Sequence, residues 1–248
     1  MKNVIKKIVG VYGALGLALV AILIQQVATF YFAIRNIIPS GLAKHSVNMR
    51  GGKITLDGER TISLFELPVA GAGMLWGSLL GSMILLVGGY FTNGRSLSGF
   101  HFKTFSWRAM APWVVAYLFF GGAMTALEHF FPVFRSEGMT TMIQASATSP
   151  ILAIIGIGIA VPFFEELVFR GWLFNRFEMS FSPVVAVIAT SVLFTAMHVQ
   201  YNLYILSALL VLALILGMMR HKTGSIWPSI IIHCLNNTIA TLVAFNQM

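Results

Sequence analysis

The sequence predicts an all-α fold, a polytopic transmembrane helical bundle of seven or eight spans, and three observations predict it. Of the 248 residues, 57% are hydrophobic and only 10% are charged, too little polar surface for a water-soluble globule of this size. The apolar residues fall in runs of roughly the 20 that a helix needs to cross about 30 Å of hydrocarbon. The Lys and Arg residues lie mostly between those runs. Helices follow because backbone groups in lipid have no water to bond and must satisfy one another internally.

Taken in order, the first span runs from about Ile8 to Ile34 behind Lys2, Lys6 and Lys7. It exceeds the apolar core of a cleavable signal and reads as retained. A long polar loop, Arg35 to Glu66, carries Pro39, Gly41 and the Gly51–Gly52 pair. The second span, Val69 to Phe91, has Gly71, Gly73, Gly77, Gly81, Gly88 and Gly89 at spacings that let a neighbouring helix approach closely. A basic connector with Arg95, Lys103 and Arg108 leads to the third span, Met110 to Leu127, and a loop with Arg135 and Glu137 follows. The fourth span runs from Pro150 to Phe177, the fifth from Pro183 to His198, the sixth from Leu203 to Met219 and the seventh from Ser225 to Phe245. Arg220, His221, Lys222 and Gly224 form the turn between the last two. Two regions result: residues 1–149, with about three spans and the long loop, and residues 150–248, a core of four spans.

The net charge of +8 sits on scattered residues rather than on one polar element, which argues against nucleic acid as a partner and for orientation in membrane lipid. With the amino terminus inside, the inner side holds Lys2, Lys6, Lys7, Arg95, Lys103, Arg108, Arg176, Arg220 and Lys222, and the outer side Arg35, Lys44, Arg50, Lys53, Arg60 and Arg135. An extra segment in the long loop would change the side on which the carboxyl terminus emerges. The single cysteine, Cys234, excludes an internal disulfide and any multi-cysteine metal site.

The fourth span breaks the apolar pattern with FFEELVFRG. A charge at the bilayer centre costs about 2.5–3.5 kcal/mol on insertion scales, so several in one span need pairing, water or a function. Glu166 and Arg170, four apart, share a helix face and pair. Glu165 faces another direction, which leaves one carboxylate free for proton transfer. His198 in FTAMH and the pair His233 and Asn237 in HCLNN bring imidazoles and an amide, groups that move a proton near neutral pH or donate to an oxyanion. The structural alternative is a buried pair that sets helix position, with the other four as interhelical hydrogen bonds. Phe194 is read as packing that orients His198, Cys234 as inert core, and His45, His101, His129 and His221 receive no role. By helical rise, Glu165 and His198 fall at similar depth, whereas His233 lies nearer the opposite end of its span. Tilt, or a seventh helix whose start is displaced by Pro228, has to close that gap.

Other protease chemistries fail by absence. Asp57, the one aspartate, lies in a loop and rules out an aspartyl dyad, and neither H-E-x-x-H nor G-x-S-x-G occurs.

Glu165, Glu166 and Arg170 match E-E-x-x-x-R, Phe194 and His198 match F-x-x-x-H, and His233 and Asn237 match H-x-x-x-N. In that order these motifs resemble the CPBP family, the CAAX-protease and bacteriocin-processing (Abi-like) membrane proteins. The resemblance covers about Pro150 to Phe245, and the first 150 residues add nothing to it. It implies an intramembrane endopeptidase in which Glu165 and His198 activate a water while His233 and Asn237 stabilise the oxyanion, with Glu166 and Arg170 in support. No cofactor is favoured, because Asn is an uncommon zinc ligand. Zinc held by Glu165, His198 and His233 is the alternative within the family.

The compact chain resembles bacterial members, which implies a bacterial cytoplasmic membrane and a membrane-associated peptide or protein substrate. The competing reading is a non-catalytic scaffold, immunity or regulatory protein of the same family. A proton-coupled transporter would string its ionisable groups along a path, whereas these converge on three spans.

Overall fold

A computed structural model describes residues 2–37, 47–50, 53–56, 60–63, 71–134 and 150–246. Among the described residues there are seven membrane helices: α1 Lys2–Ile37, α2 Gly71–Thr92, α3 Trp107–Phe130, α4 Pro150–Ser180, α5 Pro183–Ala196, α6 Leu203–Thr223 and α7 Trp227–Asn246. Six are long and apolar enough to cross a membrane, and α5, at 14 residues, is shorter. Within the long polar loop, three short strands, β1 Val47–Arg50, β2 Lys53–Leu56 and β3 Arg60–Ser63, pair antiparallel in sequence order. Pro39, Gly41, His45, Arg135 and Glu137 lie outside the described residues.

The bundle is built for lipid. Large apolar side chains such as Val115, Leu118, Phe119, Val184 and Leu203 are exposed on its outer faces, while Glu166, Arg170, Arg220 and His233 are buried inside. A protein surrounded by water would not expose apolar faces on that scale. The chain is an integral membrane protein.

α4 is the central helix, buried from Leu167 to Asn175 without a break toward lipid. Small residues let the first two helices close around it. Ala14, Ala18 and Ala21 on α1 are buried, and Trp172 of α4 reaches through to donate its indole N–H to Ala14 O at 3.1 Å. The α2 glycines expected to be packing residues do pack: a Cβ on Gly81 would lie 2.7 Å from the Phe164 ring and 2.9 Å from Gln25 Cβ. Gly81→Leu is therefore expected to destabilise the fold by about 1–3 kcal/mol or more through overpacking. Thermal unfolding in detergent checks this, and an unchanged Tm would contradict it.

α4 also departs from regular geometry. Ile154–Ala160 and Leu167–Leu173 are π-helical, with Val161 N–H reaching Gly156 O and Phe174 N–H reaching Phe169 O. Such i→i+5 segments are uncommon and frequently mark functional sites.

Two boundaries differ from the sequence expectation. Arg220, His221 and Lys222 belong to the last helical turn of α6, which Gly224 caps at φ +66°. Arg220 turns inward because its Nε–H finds Arg170 O at 3.1 Å and its guanidinium lies 5.0 Å from the Phe174 ring centre. α5, expected to reach His198, ends at Ala196. At 1.5 Å per residue it spans only about 21 Å, short of the about 30 Å of a hydrocarbon core.

At the opposite end, in the connector between α2 and α3, His101 bonds Asn175 Oδ1 through Nε2 at 3.0 Å. Burial, with the cations of Arg220 and Lys103 nearby, holds its imidazole below the usual 6.5. The folded protein favours neutral His101, so the stability this gives is present above about pH 6.5 and is lost as pH falls toward and through the lowered value. Tm is expected to drop between pH 7.5 and pH 5.5, and to drop less in His101→Gln.

Candidate active site

The local fold dictates where each group points. Glu166 and Arg170, one turn apart on the buried helix, form an ion pair of 2.8 Å with both side chains fully buried. Arg170 donates its other terminal nitrogen to Ala213 O at 3.0 Å, and its guanidinium sits 4.9 Å from the Phe194 ring centre. The same Glu166 oxygen that takes Arg170 also takes His233 Nδ1 at 2.9 Å. A carboxylate can only accept, so Nδ1 carries the proton and the Nε2 edge of His233 turns toward Glu165, 3.6 Å from Oε2.

His198 is oriented in a parallel way. Its Nδ1 lies 2.8 Å from the carbonyl of Phe194, which again makes Nδ1 the donor and leaves Nε2 facing Glu165 Oε1 at 3.8 Å. The Phe194 ring packs 4.7 Å from His198 and 5.7 Å from His233, centre to centre. Glu165 thus stands between two imidazole Nε2 atoms, and the adjacent Glu166 bonds away from it to Arg170 and His233.

The gap in depth expected for His233 is closed by the start of α7. Ser225 and Ile226 are drawn into the protein, with Ile226 N–H on His101 O at 3.2 Å and Ser225 Oγ on Lys103 O. Ile226 packs beside Gly171. From that shared level, five residues of α4 and seven of α7 climb about 8 and 10 Å to Glu166 and His233.

A cavity of about 240 Å³ unites the groups: Glu165, His198, His233 and Asn237 all line it. Asn237 lies one turn beyond His233 and donates to Ile157 O at 3.4 Å. Cys234 contributes no ionisable group to the lining and bonds Ile159 O through Sγ at 3.6 Å. Among the described residues, no group of three His, Cys, Asp or Glu side chains converges as a metal site requires.

Several lining residues have no counterpart in the sequence reading. Gln25, Gln26 and Thr29 of α1 form part of the wall, and Gln200 and Tyr201 extend it beside His198, with the Tyr201 ring stacked 6.1 Å away. Two adjacent amides inside an otherwise apolar first span were the available signal, because lipid tolerates an amide only where it finds a partner.

Residues 147–239 match the family described as type II CAAX prenyl endopeptidase Rce1-like. The matched segment takes in α4, α5, α6 and most of α7. All the E-E-x-x-x-R, F-x-x-x-H and H-x-x-x-N residues fall inside the matched segment. The chain is 31% identical over 99 residues to UPF0177 protein YaiH of Lactococcus lactis, covering 40% of each chain. It is also 31% identical over 112 residues to an uncharacterized 24.3 kDa protein of Escherichia coli, covering 43% of this chain and 52% of the other. The aligned part thus spans about half the length of these relatives or less. No solved structure matches. Outside the matched segment, α1 and α2 supply one wall of the cavity through Ile22, Gln25, Gln26, Thr29 and Met74.

Proposed function

We propose that the chain is an intramembrane endopeptidase that cleaves a membrane-associated peptide or protein with a water activated by Glu165 and His198. What carries the reading is one observation: a carboxylate, two imidazoles and an amide from three separate parts of the chain border a single cavity inside the bundle. The Rce1-like family supports the reaction class. In this reading residues 150–248 are the catalytic core, and residues 1–149 add part of the wall that faces the substrate.

A water donating to Glu165 Oε1 and His198 Nε2 attacks the scissile carbonyl carbon. Glu165 takes its proton, and the carbonyl becomes an oxyanion. His233, as the imidazolium with Nδ1–H on Glu166, offers Nε2–H to that oxyanion, and Asn237 offers an amide N–H. The proton then passes from Glu165 to the leaving nitrogen as the C–N bond breaks. No metal takes part, so chelator-treated protein with no bound transition metal by elemental analysis retains its activity. A chelator-sensitive rate restored by zinc would replace this mechanism with a metal-dependent one at Glu165, His198 and His233.

Both named relatives are bacterial, which supports a bacterial cytoplasmic membrane as the location. The deciding experiment presents purified protein in lipid nanodiscs with membrane-anchored peptides and reads cleavage by mass spectrometry. Cuts made by the wild type and absent with Glu165→Ala support the peptidase. Wild-type protein that cuts nothing, together with a cellular phenotype that survives Glu165→Ala and His233→Ala, favours the scaffold or regulatory role.

A further inference from the structure

The amide of Asn237 needs a defined sense: one flip presents N–H to the cavity, the other presents oxygen. We propose that Tyr117 and Asn236 are positioning residues that lock Asn237 with its NH2 group available to the substrate oxyanion, a step that rests on the peptidase reading above.

The reasoning begins at Pro162. Proline has no N–H, so position 162 offers no helical donor to Gly158 O four residues back or to Ile157 O five residues back. Side chains of α7 reach both carbonyls: Asn237 Nδ2 lies 3.4 Å from Ile157 O and Thr238 Oγ1 lies 3.4 Å from Gly158 O. A carbonyl only accepts, so Ile157 selects the NH2 side of the Asn237 amide. Asn237 Oδ1 then faces Asn236, whose Nδ2 donates to it at 3.3 Å. Asn236 Oδ1 in turn receives the hydroxyl of Tyr117 at 3.2 Å.

The Ile157 carbonyl fixes the sense of Asn237, Asn237 Oδ1 fixes that of Asn236, and the Tyr117 hydroxyl completes the arrangement by donating to the remaining amide oxygen. Reversing the chain would set Asn237 Oδ1 against Ile157 O, two acceptors in contact. One N–H of the Asn237 amide is held by Ile157, and the second remains for a ligand in the cavity that Asn236 and Asn237 both line. Tyr117 is anchored for the task. It is buried on α3 in a cluster with Leu212, Leu216 and Ile232. α3 lies outside the Rce1-like segment, so this chain adds its own support to a motif residue.

The test uses the full chain in nanodiscs with a reporter peptide that the wild type cuts. Asn237→Ala is expected to lower kcat about 100-fold, the usual loss for one oxyanion donor. Asn236→Ala should lower kcat about 10-fold and Tyr117→Phe about 3-fold, with KM within about twofold of wild type and Tm retained, because only the sense of an amide is released. The double variant N236A/N237A should be no slower than N237A, since the two act as a unit. Asn236→Asp is the sharpest probe: nearly isosteric, it cannot donate to Asn237 Oδ1 and instead draws the NH2 group toward itself, so it should be at least as slow as N236A. Wild-type kcat in Y117F and N236A beside a slow N237A would overturn the relay alone, as would multiplicative losses in the double variant. A fully active N237A would overturn the oxyanion role and the relay together. Should N236D fail to fold, Y117F and N236A still decide.

Discussion

Glu165→Gln is expected to lower kcat by about a thousandfold or more while leaving folding and substrate capture intact. The substitution keeps size and hydrogen-bonding shape and removes only the ability to take and return a proton. Positioned acids and bases contribute about 10²–10⁴-fold, and here the same carboxylate serves both the attack and the departure of the amine. Glu166 cannot substitute, being bonded to Arg170 and His233, and His198 Nε2, which also accepts from the water, is left to supply the residual rate. Glu165 has no hydrogen bond among the described interactions and meets its two histidines at 3.6 and 3.8 Å, so Gln should cost little stability. The measurement is single-turnover cleavage alongside co-purification of uncut peptide. Cleavage at more than a tenth of the wild-type rate would remove Glu165 from the proton-transfer role.

The second large effect concerns stability. Arg170→Met leaves Glu166 fully buried without its guanidinium partner, and breaking a buried pair from one side costs about 3–5 kcal/mol. Cost on that scale is a large share of the 5–15 kcal/mol that typical domains possess. R170M should therefore unfold at much lower temperature or fail to accumulate. The double variant E166Q/R170M removes both charges and should recover much of the loss while still impairing catalysis, because Gln is a weaker anchor for His233 Nδ1. If R170M melts like the wild type, the pair is not the structural clamp that its burial implies. Should the double variant regain full activity as well, Glu166 has no part in orienting His233.

The number and order of the membrane helices were legible because lipid imposes a coarse rule, about 20 apolar residues per crossing, that composition alone satisfies. The pairing of Glu166 with Arg170 was legible because a four-residue spacing fixes a shared helix face. Other features were hidden for identifiable reasons. The strands at Val47–Arg50, Lys53–Leu56 and Arg60–Ser63 are four residues each, below the length at which alternation stands out from a polar loop. The end of α5 at Ala196 carries no Gly or Pro, so no local signal marked the break that puts His198 in a turn. π-helical winding in α4 likewise leaves no compositional mark.

Sequence by itself determined that this chain lives in lipid, that it forms a bundle of seven or eight spans, and which ionisable side chains are too costly to be there without a purpose. Those are properties of single residues and near neighbours, governed by transfer energy and helical period. Only the tertiary structure decided that His233 meets Glu166, that Asn236 and Tyr117 stand behind Asn237, and that α1 walls the cavity. Each of these depends on how far one helix is displaced along another, a distance set by contacts such as Ile226 beside Gly171 and Gly81 beside Phe164 that no local pattern encodes.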